Sequence, residues 1–186
     1  VASETGASDP PHATRSPGPL LVSLAAGAAG FVVNGFTLPV ISGVVLLFGS
    51  IFPLAVALAL GPRYGLLAGV LAASRTVLLF GHPYALAGFA FEAAAVGWLA
   101  RRGWVPLFSS LAYWALVGVP FLAAVEILAE TPNPVWRMVL AKLLVNEMLA
   151  VLLAEVLVWV TAVAWRVPNP VFPRRPVRNE LLRLFV

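Results

Sequence analysis

The sequence predicts an all-α, polytopic membrane protein: a six-transmembrane-helix bundle with both termini in the cytoplasm. Three observations carry that expectation. Of 186 residues, 61% are hydrophobic and 11% charged, with a mean hydropathy of +0.94. Soluble domains run at about 45–50% apolar and 25% charged. The apolar residues fall into six runs separated by short Gly- and Pro-rich turns, each near the length of about 20 residues that crosses a bilayer. The third observation is where the positive charges lie. With the N-terminus inside, Arg15, Arg63, Arg101, Arg102, Arg166, Arg174, Arg175, Arg178 and Arg183 all fall on the cytoplasmic side. The outer loops receive none, as the positive-inside rule requires.

Residues 1–19 are polar and rich in Pro, Ser and Gly, which predicts a disordered leader. Glu4 and Asp9 precede the apolar run without a basic segment, unlike a signal peptide. The bundle occupies 20–165. Its first run, about Leu20 to Phe36, presents small residues from Ala25 to Gly30 for close helix contact, and Asn34 lies near its end. A turn at Gly35–Pro39 precedes the second run, about Gly43 to Leu60, which Pro53 is expected to kink.

The third run, Tyr64 to Phe80, carries Gly65, Gly69 and Ala73 at four-residue spacing, a helix-packing pattern. After the turn at Gly81–Pro83, the fourth run, Tyr84 to Ala100, holds Glu92 near its middle. The fifth, about Val105 to Ala129, holds Glu126 near its far end, and Pro132 to Pro134 break the chain before the sixth. Residues 166–186 form a basic tail, expected to be cytoplasmic and to run toward a further module. Five tryptophans (Trp98, Trp104, Trp136, Trp159 and Trp165) fall near run ends, as interfacial belts place them, and Trp114 lies further in.

The sixth run, Val135 to Trp165, is the one around which the others are organised. It carries Arg137, Lys142, Asn146, Glu147 and Glu155. A charge at bilayer depth costs about 2.5–3.5 kcal/mol on insertion scales, so such groups face partners or a polar cavity. Lys142 and Asn146 are one turn apart on the same face. Counting along the runs places Asn34, Arg75, Glu92, Glu126, Arg137, Lys142 and Asn146 in the outer half of the bundle, with His82 on the outer turn as a candidate gate or sensor. Two readings fit. Arg75–Glu92 and Lys142–Glu126 are structural ion pairs, or these groups line an outward-open pocket for a small polar or charged molecule. Glu147 and Glu155 are assigned to helix contacts.

The chemistry excluded is broad. With no cysteine there are no disulfides, thiolates or Cys-based metal sites. No nucleophile elbow, HExxH motif or phosphate-cradling glycine loop occurs, so no catalytic residue, metal site or cofactor is expected. Positive charge sits at run ends and reports topology, so no nucleic-acid partner is expected either. The partners expected are the lipid bilayer and a small molecule.

Several stretches together carry a resemblance: FGSIF (48–52), LGPRYGLLAG (60–69), GHPYA (81–85), FEAAAVGWLARR (91–102), YWALVGVP (113–120) and the Lys142-x-x-x-Asn146 pattern. The chain resembles the N-terminal membrane input domain of bacterial sensor histidine kinases and diguanylate cyclases. That domain in turn is similar to the six-helix substrate-binding subunits of energy-coupling-factor vitamin transporters. One departure is Glu147, where the resemblance leads us to expect a small residue such as Gly. The resemblance implies a sensor in the bacterial inner membrane, dimeric through a downstream signalling module, whose kinase or cyclase activity lies outside this chain. The alternative it implies is a transporter subunit docking on a coupling subunit. RNELLRLFV (178–186) looks like the start of a continuation into the output module.

Overall fold

The computed structural model describes residues 18–41, 44–128 and 136–165. Residues 1–17, 42–43, 129–135 and 166–186 lie outside the described residues, as does the side chain of Arg137. The described chain is mostly helical. In order it forms α1 (Pro19–Val33), strands β1 (Leu38–Ile41) and β2 (Val44–Leu46), α2 (Ile51–Leu60), α3 (Pro62–Phe80), α4 (Tyr84–Arg101), α5 (Pro106–Tyr113), a π-helical turn (Trp114–Gly118), α6 (Val119–Leu128) and α7 (Trp136–Trp165). Because α5, the π turn and α6 run on without a break, they make one rod, and six helices result.

Three of these, α3, the α5–α6 rod and α7, are long and apolar enough to cross a membrane. Their outer surfaces agree with that. Leu78, Leu116, Ile127, Leu128, Val145 and Trp159 are all exposed, a greasy outside that a water-soluble surface of this extent would not carry. α1 and α2 are apolar but shorter.

The second apolar run departs from the expected crossing helix. Its first residues, Val44–Leu46, pair with Leu38–Ile41 of the segment before the run as an antiparallel two-stranded ribbon, Leu38 opposite Leu46 and Ile41 opposite Val44, with an irregularity between Pro39 and Ile41. The fold is therefore not purely α. The helical remainder, α2, has 10 residues, about 15 Å at 1.5 Å per residue and half of a hydrocarbon core of about 30 Å. Pro53 lies in the first turn of α2, where a residue needs no N–H partner within the helix. Gly61, with φ +108°, turns the chain directly from α2 into α3, and a Cβ there would strike the Arg101 guanidinium. Arg101 Nη2 donates to the Leu60 carbonyl at 2.8 Å, which satisfies the end of α2.

Small residues set the packing, as the spacing predicted. Gly65 of α3 sits against Ala57 of α2, and Gly69 sits against the backbone of Ala90 in α4. Gly27 and Gly30 of α1 abut Leu71 and Ala72 of α3. Short α2 is thus enclosed by α1, α3, α4 and α7, with Pro53 to Leu58 all buried. Leu54, Ala57, Ala93, Val96, Ala150, Val151 and Ala154 form one continuous apolar core from α2, α4 and α7. A second core joins Leu47, Ala73, Phe89, Tyr113, Trp114 and Leu143. Trp114 is buried within it, edge-on to Phe89 and Tyr113.

Candidate functional site

The stretch from Leu47 to Ser50 leads from the ribbon into α2 through the interior, with Leu47 and Ser50 both buried. Its backbone has no helix or ladder to satisfy it there, and unpaired peptide groups away from water are costly. Two asparagines supply the partners. Asn34 follows the last turn of α1; its Oδ1 accepts from Gly49 N at 2.8 Å, and its Nδ2 donates to Ala72 O of α3 at 3.1 Å. Asn146 of α7 accepts from Leu47 N at 3.0 Å and donates back to Leu47 O at 2.8 Å. A side-chain amide here imitates a neighbouring strand. The first and last helices thus grip the same short segment.

Two carboxyl groups lie beside this clamp. Glu92 of α4 and Glu147 of α7 are both 0% exposed. Ser110 Oγ on α5 donates to Glu92 Oε1 at 2.6 Å. Asn146 Nδ2 donates to Glu147 Oε1 at 2.6 Å, which ties the carboxyl to the clamp. The Trp114 indole N–H is aimed at Glu92 and completes no hydrogen bond of its own. Ser50, at the start of α2, faces Glu147. The two carboxyl groups come within hydrogen-bonding reach of each other, yet Oε2 of each has no donor.

Of the residues expected to line an outer pocket, Asn34, Glu92 and Asn146 do come into this interior cluster. Lys142 is half-buried one turn before Asn146 and acts on Glu147 through its charge. Arg75 goes elsewhere: its guanidinium lies 5.5 Å above the Phe31 ring, with Nε buried and unpartnered. The expected Arg75–Glu92 ion pair is therefore replaced by a Ser110–Glu92 hydrogen bond, since a neutral hydroxyl one helix away satisfies the carboxyl at lower desolvation cost. His82 is exposed on the turn after α3, stacked with Phe80 and close to Tyr84. Glu126 is half-buried near the end of α6.

Glu147 holds the position of most consequence. Assigned from sequence to a helix contact, it stands fully buried at the centre of the cluster. Ser50, Ser110 and Trp114 complete that centre, and no local pattern singled them out. Glu155, Thr161 and the apolar residues between them continue along α7 beyond the cluster, with Glu155 Oε1 unpartnered. Compared with known proteins, the chain matches no family model, no curated protein and no solved structure.

Proposed function

We propose that this chain is a membrane-embedded sensory input domain of a bacterial signalling protein. It crosses the inner membrane six times with both ends in the cytoplasm, monitors a small molecule near the outer face, and biases an output module beyond the tail. One observation carries the reading: a polar centre where side chains of α1, α4, α5 and α7 gather around the loop that enters short α2. Ionisable residues inside a membrane are functional sites by default, and this centre joins the N-terminal helix to the helix that leads into the basic tail. A ligand signals only by binding one arrangement of helices better than another, and a clamp shared by the first and last helices has such arrangements to choose between. Kinase or cyclase chemistry belongs to the output module in this reading.

A second reading is a solute-binding subunit of an energy-coupling-factor-type transporter. Short α2 favours it, because discontinuous helices at mid-depth mark transporter binding sites. Co-purification with a transmembrane coupling subunit and paired ATPases separates it from the sensor.

The test is a thermal-shift screen of the purified chain against vitamins, amino acids and organic acids, with Lys142→Ala beside it. A true ligand at one hundred times its Kd stabilises by about 2.7 kcal/mol, and that gain is expected to vanish in Lys142→Ala. No stabilisation by any compound, with Lys142→Ala merely less stable, returns the cluster to a structural role.

A further inference from the structure

We infer that the Glu92–Glu147 carboxyl pair is a binding site for a single proton, whose presence or absence sets how tightly the backbone entering α2 is held. The inference rests on reading this cluster as the sensing centre, but on no particular small molecule.

Geometry carries it. Both side chains are fully buried. They interact with one another, and on each carboxyl one oxygen accepts from a neighbour while Oε2 has no donor. Two acceptor groups that face each other with unfilled oxygens need a hydrogen between them, and one proton fills that need for both.

The surroundings select a proton over a metal cation. The groups around the pair are donors: Ser110 Oγ, Asn146 Nδ2, the Ser50 hydroxyl beside Glu147, and the unpartnered Trp114 Nε1 aimed at Glu92. Such N–H and O–H groups support negative charge and repel a metal ion, which instead needs a shell of several oxygen acceptors. Among the described residues no three His, Asp or Glu side chains gather as a metal site would require.

The consequence runs through Asn146. Its Nδ2 is shared between Glu147 Oε1 and Leu47 O. Removing the proton leaves two like charges side by side, and the repulsion draws on the one amide that also holds the loop. Ser50 on Glu147 transmits the same change to the start of α2.

Few other titratable groups face the pair. From α5 comes Tyr113, whose hydroxyl donates to Gly88 O at 2.8 Å. From α7 comes Lys142. From α3, Arg75 lies over Phe31 instead. Helices α1 and α2 bring no titratable side chain.

The experiment is infrared difference spectroscopy across a pH series on the full chain in lipid nanodiscs, with glutamate carboxyls isotope-labelled. Hydrogen exchange at the Leu47 and Gly49 amides is followed in parallel. The expected result is one protonated-glutamate C=O band per chain that disappears as pH rises, with faster exchange at both amides. Glu92→Gln and Glu147→Gln, near-isosteric and neutral, are each expected to remove or displace the band and to flatten the pH response of the amides. Glu155→Gln is expected to leave both unchanged.

A wild-type chain with no titrating glutamate band overturns the inference, whatever the variants do. A band indifferent to both Glu92→Gln and Glu147→Gln also overturns it, as does an exchange response to sodium and not to pH. Stabilisation by a small molecule without any such band sinks this inference and leaves the sensory reading standing. The band without small-molecule stabilisation does the reverse.

Discussion

Helices α4 and α7 both pack against α2, and the seam they share through it has two parts built on opposite principles. In one part, Ala93, Val96 and Ala100 of α4 pack with Ala150, Val151, Ala154 and Val158 of α7 and with Leu54 and Ala57 of α2. Everything there is apolar, and small residues allow backbones to come close. In the other part, beginning one residue earlier on α4 and three earlier on α7, stand Glu92, Asn146 and Glu147. There the contacts are hydrogen bonds of 2.6–3.0 Å to Ser110, to Leu47 and within the pair Asn146–Glu147. The apolar part tolerates change in proportion to volume. The polar part depends on each donor finding its acceptor, so removing one member leaves another stranded.

Four substitutions test that contrast. The largest effect is expected from Asn146→Leu, which strands both the N–H and the C=O of Leu47 and should cost about 2–6 kcal/mol at about 1–3 per orphaned group. Denaturant unfolding in mild detergent measures it, and a cost below that of an ordinary surface change would break the clamp. Next is Gly97→Leu in the apolar part. A Cβ there already lies 2.8 Å from Ala57 O, so overpacking of about 1–3 kcal/mol is expected, read by the same unfolding curves. Ser110→Ala comes third, at about 1–3 kcal/mol for the one buried acceptor, Glu92 Oε1, left without its donor. It should act on the Glu92 side alone, leaving amide protection at Leu47 as in the wild type. Smallest is His82→Ala, an exposed turn residue, expected within about 0.5 kcal/mol of wild type. A larger change in thermal stability there would mean that the aromatic stack with Phe80 and Tyr84 matters more than its exposure suggests.

The apolar part was legible in the sequence and the polar part only half so. The Gly65–Gly69–Ala73 spacing announces a close helix contact because a four-residue repeat of small side chains clears one helix face, and α3 uses that face against α2 and α4. Asn34, Glu92 and Asn146 were recognisable as polar groups at comparable depth. Their partners were not. Leu47 and Asn146 are 99 residues apart, and no periodicity links a loop backbone to a side chain on the last helix. Ion pairs were one reading of these charges, whereas Glu92 is met by a serine, and serines in apolar runs carry no distinguishing mark. Glu147, assigned to a helix contact, meets Glu92 of α4. The ribbon at 38–46 did leave a signal. Leu-Pro-Val-Ile and Val-Val-Leu flank Ser42–Gly43, a β-branched pair of runs around a turn dipeptide, outweighed by the helical reading of the longer apolar stretch.

The span of 99 residues between Leu47 and Asn146 also bears on how the protein is made. A chain delivered to the membrane from its N-terminus presents the segment entering α2 long before α7 has been synthesised. Asn34 is available from the outset and can hold Gly49, but Leu47 must wait for the final helix. The early assembly therefore carries an unfinished seam, and arrival of α7 is the step that closes it. Nascent chains stopped short of Asn146 should be the ones that quality-control proteases recognise, and those extended past it should escape.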